Sequence, residues 1–140
     1  MFTIVVTGSR GWSSWKVIEE ALTEFVALYG SDGVKVIHGD ARGADKMSAW
    51  TARNKLGIPA TNVVACPADW EKYGRGAGFK RNAEMLAMLK REVDAENGEG
   101  GTVVAFWDGQ SKGTKHTIDC AKEMALPLKV YSTQVVVTAS

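Results

Sequence analysis

The sequence predicts an α/β protein, a parallel sheet with helices on both faces, and three observations predict it. Five short apolar runs, each rich in β-branched or aromatic residues, read as buried strands. Four amphipathic segments with a 3.6-residue apolar period lie between them. Strands and helices alternate strictly, and such alternation calls for parallel strands joined by helical crossovers. The right-handed rule for crossovers leaves few topologies. The expected one is a Rossmann-like three-layer sandwich with a five-stranded parallel sheet of order 3-2-1-4-5.

The elements follow in order. FTIVVT (Phe2–Thr7) reads as the first strand. A helix is expected over Ser14–Tyr29, with Val17, Ile18, Ala21, Leu22, Phe25 and Leu28 on its apolar face. VKVIH (Val34–His38) is the second strand, and a helix over Ala44–Leu56 places Met47, Trp50 and Leu56 inward. TNVVAC (Thr61–Cys66) is the third strand, and a helix over Phe79–Val93 turns Ala83, Leu86, Leu89 and Val93 inward. TVVAFW (Thr102–Trp107) is the fourth strand, and a helix over Thr114–Met124 buries Ile118, Ala121 and Met124. LKVYS (Leu128–Ser132) closes the sheet. DAENGEGG (Asp94–Gly101) is a polar, Gly-rich connection. The expected organisation is one domain over residues 1–132 and a C-terminal tail over 133–140. The tail segment QVVVTAS (Gln134–Ser140) suits an added edge strand or a contact with a second subunit.

Composition narrows the function classes. The chain has 140 residues, 45% hydrophobic and 24% charged, which is ordinary for a globular domain. A net charge of +1 gives no general attraction to nucleic acid or membranes. No apolar run approaches the roughly 18 residues of a membrane span. MFTIVVTGSRGW reads as strand and turn rather than a signal peptide. Cys66 and Cys120 lack metal-ligand spacing and do not cluster with His38 or His116. No metal, no cofactor and a cytoplasmic location with reduced thiols are expected.

Ligands of such sheets bind outside the carboxyl ends of the strands, where strand order reverses. Here that point lies between the first and fourth strands. Four polar segments fall on this edge: TGSRGW (Thr7–Trp12), HGDARGAD (His38–Asp45), CPADWEKYGRGAGFKRN (Cys66–Asn82) and DGQSKGT (Asp108–Thr114). Arg10, Arg42, Arg75, Lys80, Arg81, Lys112 and Lys115, seven of the 17 basic residues, lie in or beside them. Asp40, Asp45, Asp69 and Asp108 share the edge. This mixed site with a local cationic surplus suits a phosphate-bearing metabolite better than a long nucleic acid. GSRG and SKGT each lead into a helix, whose free N–H groups and partial positive charge bind anions. Standard signatures fail: there is no G-x-x-x-x-G-K-[ST], and neither GSRGWS nor GRGAG is a dinucleotide fingerprint. The long connection Pro67–Phe79 reads as a lid, with Trp70 or Tyr73 for stacking and Arg75 or Arg81 for a phosphate. His38 reads as a satisfied strand-end histidine rather than a base. His116, in the first turn of a helix, reads as a contact or surface residue.

GSR, HGDARGAD, PADWEKYGRGAGFKRN and WDGQSKGT, in this order, resemble the YspA-like branch of the SLOG superfamily, found in bacteria and phages. The resemblance covers roughly residues 2 to 130. It implies a Rossmann-like domain that binds nucleotide-derived ligands. Relatives so implied include the LOG phosphoribohydrolases, sensors of NAD-derived signals and DprA-type single-stranded DNA binders. Carried over by position, Gly8, Ser9 and Arg10 line one wall, and Gly39, Arg42, Gly43 and Asp45 the next. Arg81 and Asn82 reach in from the third helix, while Asp108, Ser111, Gly113 and Thr114 cradle a phosphate or ribose. Trp70, Arg75 and Lys112 complete the expected ligand-binding set. The LOG hydrolases carry P-G-G-x-G-T-x-x-E, and the place of that glutamate is Thr117 here. Glycosidic cleavage passes through a cationic sugar that a carboxylate stabilises, and threonine supplies no charge. Asp119 lies roughly 200° around the helix. Asp108 and Asp45 remain the candidate catalytic carboxylates.

The expected function is the binding or sensing of a nucleotide-derived small molecule, ADP-ribose-like, NAD-derived or a phosphorylated nucleotide. The alternatives are a LOG-like N-glycosidic hydrolase and a single-stranded nucleic-acid binder, the latter disfavoured by the near-neutral charge. By analogy with LOG proteins, a homodimer through Val135–Val137 is a further expectation.

Overall fold

The computed structural model describes residues 1–132 and 136–138. Strands β1 (Phe2–Gly8), β2 (Val34–His38), β3 (Val63–Ala65), β4 (Gly101–Phe106) and β5 (Leu128–Tyr131) form a parallel sheet in the order β3-β2-β1-β4-β5. β1 sits at its centre, with Thr3 opposite Lys35 of β2 on one side and Gly101 of β4 on the other. A sixth strand, β6 (Val136–Thr138), pairs antiparallel with β5, Val137 facing Val130. It realises the edge strand expected of the tail. Residues 133–135, 139 and 140 lie outside the described residues, and with them Val135, the first residue of the segment Val135–Val137 to which a subunit contact is assigned.

The helices are α1 (Trp15–Tyr29), α2 (Ala44–Asn54), α3 (Trp70–Tyr73), α4 (Ala77–Asp94) and α5 (Lys112–Glu123). Alternate residues of β1 face opposite ways, as the pleat requires. Ile4 and Val6 join Val34, Val36, Ile18, Leu22 and Phe25 in the layer under α1 and α2. Val5 joins Ile37, Val103, Leu86, Leu89 and Ile118 in the layer under α4 and α5. α1 is N-capped by Ser14, whose Oγ accepts from Val17 N at 3.3 Å.

The structure corrects the reading of several helix faces. Leu28 is 70% exposed and Trp50 44% exposed. On α1 the buried stripe Ile18, Leu22, Phe25 continues to Tyr29, which stacks on Phe2 at 4.4 Å, so Leu28 falls outside it. α2 buries a face of small residues, Ala44, Ser48, Ala49 and Ala52, and Trp50, two residues from Ser48 and from Ala52 and so roughly 200° around the helix from each, falls on the outer face. On α4 the inner face runs through Met85, Leu86 and Leu89, and Ala83 is exposed. β3 is three residues long. Thr61 and Asn62 belong instead to a 3₁₀ turn that Pro59 starts, with Asn62 N donating to Pro59 O at 2.8 Å.

Close packing at the sheet centre has one unforgiving point. A Cβ on Gly101 would overlap the Thr3 carbonyl oxygen and Leu89 Cδ1. Gly101→Ala is therefore expected to destabilise by about 1–3 kcal/mol. At Gly11 an added methyl meets nothing within 4 Å, and Gly11→Ala should stay within about 0.5 kcal/mol of the parent. Urea denaturation of the two variants measures both values.

Candidate ligand-binding site

Three of the four loops at the carboxyl edge, those after β1, β2 and β4, converge on Ser9. Its N–H donates to Phe106 O at 2.9 Å, and its carbonyl accepts from Ala44 N and Trp12 N, both at 3.2 Å. Its Oγ accepts from Asp108 N at 3.1 Å. The residue is buried, so it lines no cavity. Its role is to tie the loop after β1 to the start of α2 and to the loop after β4. Gly8 and Gly43 permit this crossing. A Cβ on Gly8 would overlap Ala44 Cβ, and one on Gly43 would overlap the carbonyls of Ser9 and Arg10. Gly43 also has φ +78°, a conformation that glycine adopts without strain.

The loop after β2 is wound around Asp45. Asp45 Oδ2 accepts from Gly39 N at 3.1 Å and Ala41 N at 3.3 Å. His38 Nδ1 accepts from Asp40 N at 3.0 Å. That ring nitrogen therefore carries no proton, and burial pushes the pKa of His38 down. His38 is a buried residue whose ring is satisfied within its own loop, as expected of a histidine at a strand end.

In the lid, α3 is N-capped by Asp69, whose Oδ1 accepts from Lys72 N at 3.1 Å. A 3₁₀ turn (Gly74–Gly76) then leads directly into α4. The lid is thus mostly helical rather than a loop, in turns too short to show a helical period in the sequence. Arg81 Nη1 donates to the Gly39 carbonyl, and Arg81 Nε donates to Asn82 Oδ1 at 2.8 Å. A Cβ on Gly39 would overlap that guanidinium. The start of α4, into which the lid leads, is thereby fastened to the loop after β2.

The loop after β4 closes as a turn around Asp108. Asp108 Oδ1 accepts from Gln110 N and Ser111 N, both at 2.8 Å. These two donors hold its carboxyl below the usual range. Trp107 Nε1 donates to Ser111 O at 3.0 Å, and Ser111 Oγ lies 3.1 Å from Thr114 Oγ1. α5 begins at Lys112, so Ser111 sits at its N-cap.

A cleft of about 390 Å³ opens between these loops. Gly8, Arg10 and Asp45 line one side, and Asp108, Ser111, Gly113 and Thr114 the other. Trp70, Arg75, Arg81 and Asn82 close it from the lid and α4. A second hollow of about 410 Å³ adjoins it, lined by Gly39, Arg42 and Asp40 and sharing Arg10, Trp70 and Arg81. Of the expected site residues, Ser9, Gly43 and Lys112 border neither. Ser9 and Gly43 are occupied in the loop crossing, and Lys112 points to solvent. The sequence reading missed Thr7, Gly11, Ala41, Gly78, Phe79 and Met85 as lining residues. A signal existed for some of them. Gly78, Arg81, Asn82 and Met85 follow an i, i+3, i+4, i+7 spacing, one face of α4.

Thr117 is buried, and its Oγ1 donates to Gly113 O at 3.2 Å within its own helix. It does not reach the cleft. Among the described residues no group of three or more His, Cys, Asp or Glu is placed to hold a metal ion. No helix among them is long and apolar enough to cross a membrane.

The comparisons with known proteins agree with this architecture. The model of the YspA, cpYpsA-related SLOG family matches residues 2–73. The Gene 61 protein of Mycobacterium phage D29 is 35% identical over 133 residues, 91% of this chain and 94% of that protein. The chain belongs to the YspA, cpYpsA-related SLOG family. The matched span carries this SLOG domain from β1 to α3, and so includes the loops built around Ser9 and Asp45. Among solved structures, DNA processing protein A from Helicobacter pylori superposes with a TM-score of 0.58 at 14% identity. The alignment covers 92% of this chain and 64% of that one, so the SLOG chain spans less than two thirds of that protein's length. At this identity the likeness is one of fold.

Asp45 gives the site a pH signature. Burial holds its carboxyl up at about 6 from an ordinary 3.8, against the pull of Ala41 N–H, Arg81 and Gly39 N–H. The folded chain therefore binds this proton more tightly than the unfolded chain. The stability so gained is complete below the unfolded value and is lost as pH rises through about 6. Asp45→Asn removes the titration. The melting temperature of the parent relative to the variant should fall between about pH 4 and pH 7, which thermal melts across that range measure.

Proposed function

We propose that this SLOG domain binds a nucleotide-derived small molecule in the cleft between the loops after β1 and β4. ADP-ribose-like, NAD-derived and phosphorylated nucleotides are the class of ligand. The observation that carries the reading is the gathering of Arg10, Arg75, Arg81 and the N-terminus of α5 around one cleft of about 390 Å³. That size falls within the roughly 300–1,000 Å³ of small-molecule sites. A Cβ added at Gly113 meets nothing within 4 Å, so a phosphate can approach the helix backbone there. Trp70 is exposed at the rim, where its ring can stack on a base.

The same arrangement favours holding the ligand over cleaving it. Departure of a base from a sugar needs a carboxylate beside the developing cation. The position that carries glutamate in the LOG hydrolases is the enclosed Thr117. Asp45 and Asp108 line the cleft, yet each has an oxygen committed to two backbone N–H groups of its own loop.

A second reading has its own observation. Trp70, Tyr73 and Phe79 are all exposed on the lid, with Lys80 Nζ 4.8 Å and Lys72 Nζ 5.1 Å from the Tyr73 ring centroid. Aromatic rings interleaved with cations form a platform for single-stranded nucleic acid. The Helicobacter pylori protein of like fold is described for its single-stranded DNA binding mode.

Thermal shift separates these readings. AMP, ADP-ribose and NAD at about millimolar concentration should raise the melting temperature, since ligand at 100 Kd adds about 2.7 kcal/mol. Arg10 and Arg75 pair with no carboxylate among the described residues. Arg10→Ala and Arg75→Ala should weaken binding about tenfold or more while leaving the unliganded melt unchanged. Base released from AMP or NAD, detected by chromatography, would favour the hydrolase, and Asp108→Asn would then abolish it. Salt-sensitive binding of an oligothymidine without any nucleotide shift would favour the second reading.

A further inference from the structure

Arg81 stands between two hollows rather than in one. Its guanidinium lies against Gly39, where a Cβ would overlap it, and its Nη2 is 3.9 Å from the Cβ position of Gly78. Gly39 lines the second hollow, of about 410 Å³, and Gly78 lines the cleft of about 390 Å³. Nη1 and Nε are spent on Gly39 O and Asn82 Oδ1, and Nη2 makes no hydrogen bond among the described residues. Trp70, with Cη2 3.4 Å from the same position over Gly78, also borders both hollows, as does Arg10. The second hollow is the more cationic of the two. It sets Arg10, Arg42 and Arg81 against one lining carboxylate, Asp40, whose Oδ1 already has Lys46 Nζ at 3.8 Å. The cleft sets Arg10, Arg75 and Arg81 against two, Asp45 and Asp108. None of these arginines forms an ion pair among the described residues.

We infer that the second hollow is a subsite for a second nucleoside unit, so that the ligand is a dinucleotide whose phosphate bridge crosses at Arg10 and Arg81. This rests on the nucleotide reading of the cleft and narrows the class of ligand. Two separate anions would compete for the guanidiniums at the boundary, whereas one bridge engages both at once. Each hollow is near the lower end of the roughly 300–1,000 Å³ of small-molecule sites, which suits one unit rather than two. Trp70, half exposed at the boundary, offers a ring on which a base can stack. Arg42 borders the second hollow and not the cleft. It is therefore the residue that distinguishes a two-unit ligand from a one-unit ligand.

The test is isothermal titration calorimetry of the full chain with AMP, NAD and the phosphodiester-linked dinucleotide pApA. At least one of the two dinucleotides should bind about tenfold or more tighter than AMP. NAD in front indicates a pyrophosphate bridge, and pApA in front a phosphodiester bridge. Arg42→Ala should lower the preference for the dinucleotide over AMP about tenfold. Ala68→Trp, which fills the second hollow with an indole, should lower it likewise. Arg75→Ala, at a residue that borders the cleft alone, should weaken AMP and dinucleotide together and keep the preference. AMP binding as tightly as both dinucleotides overturns the second subsite and leaves the cleft reading standing. So does a preference that survives both Arg42→Ala and Ala68→Trp. If none of the three nucleotides binds, the cleft reading falls and this inference falls with it.

Discussion

The site depends on the burial of one small polar residue. Ser9 uses its N–H, its carbonyl and its hydroxyl to bind three separate parts of the chain: the end of β4, the start of α2 and Asp108 of the following loop. A buried polar group left without partners would cost on the order of 1–3 kcal/mol, so each of these loops is held to the position that satisfies it. The glycines around it follow from the same demand. Gly8 and Gly43 are glycine because the segments must pass within contact of each other for the bonds to form. The distance between the two walls of the cleft is set by hydrogen bonds that never face the cleft.

The two carboxylates at the site illustrate how like arrangements give opposite acids. Asp45 and Asp108 each accept two backbone N–H groups within their own loops. For Asp108, exposed to solvent, those donors dominate and the carboxyl is held down. For Asp45, enclosed beneath the loop, burial outweighs both donors and Arg81, and the value rises to about 6. Both are engaged by backbone N–H groups, and Arg10 and Arg75, which line the cleft with them, pair with no carboxylate among the described residues.

Much of this was legible in the sequence because it rests on period and order. The alternation of β-branched runs with helical segments dictates the parallel sheet, and the sheet fixes which loops share an edge. Arg10, Arg75, Arg81, Asp108 and Thr114 could be placed at the cleft from that alone. What stayed hidden rests on distances between segments far apart in sequence. Ser9 and Gly43 read as ligand contacts, because nothing local says that one loop will run beneath another. Trp50 read as core, because a large apolar residue outweighs alanine and serine in a sequence pattern, whereas the face that α2 buries is the small one, Ala44, Ser48, Ala49 and Ala52. α3 spans four residues and leaves no period to detect. His38 was read correctly from its place at a strand end.

The Ser9–Asp108 bond joins residues 99 positions apart. During synthesis β1, β2 and their helices emerge long before the strand that completes the centre of the sheet, and β1 must wait with one edge unpaired. Contacts of such separation form late and slow the folding of the chain. Half the wall of the cleft is thus translated early, and the cleft has its second wall only when β4 inserts beside β1. A nascent or truncated chain ending before Gly101 would have the arginines and the loop around Asp45, yet no place for a ligand to sit.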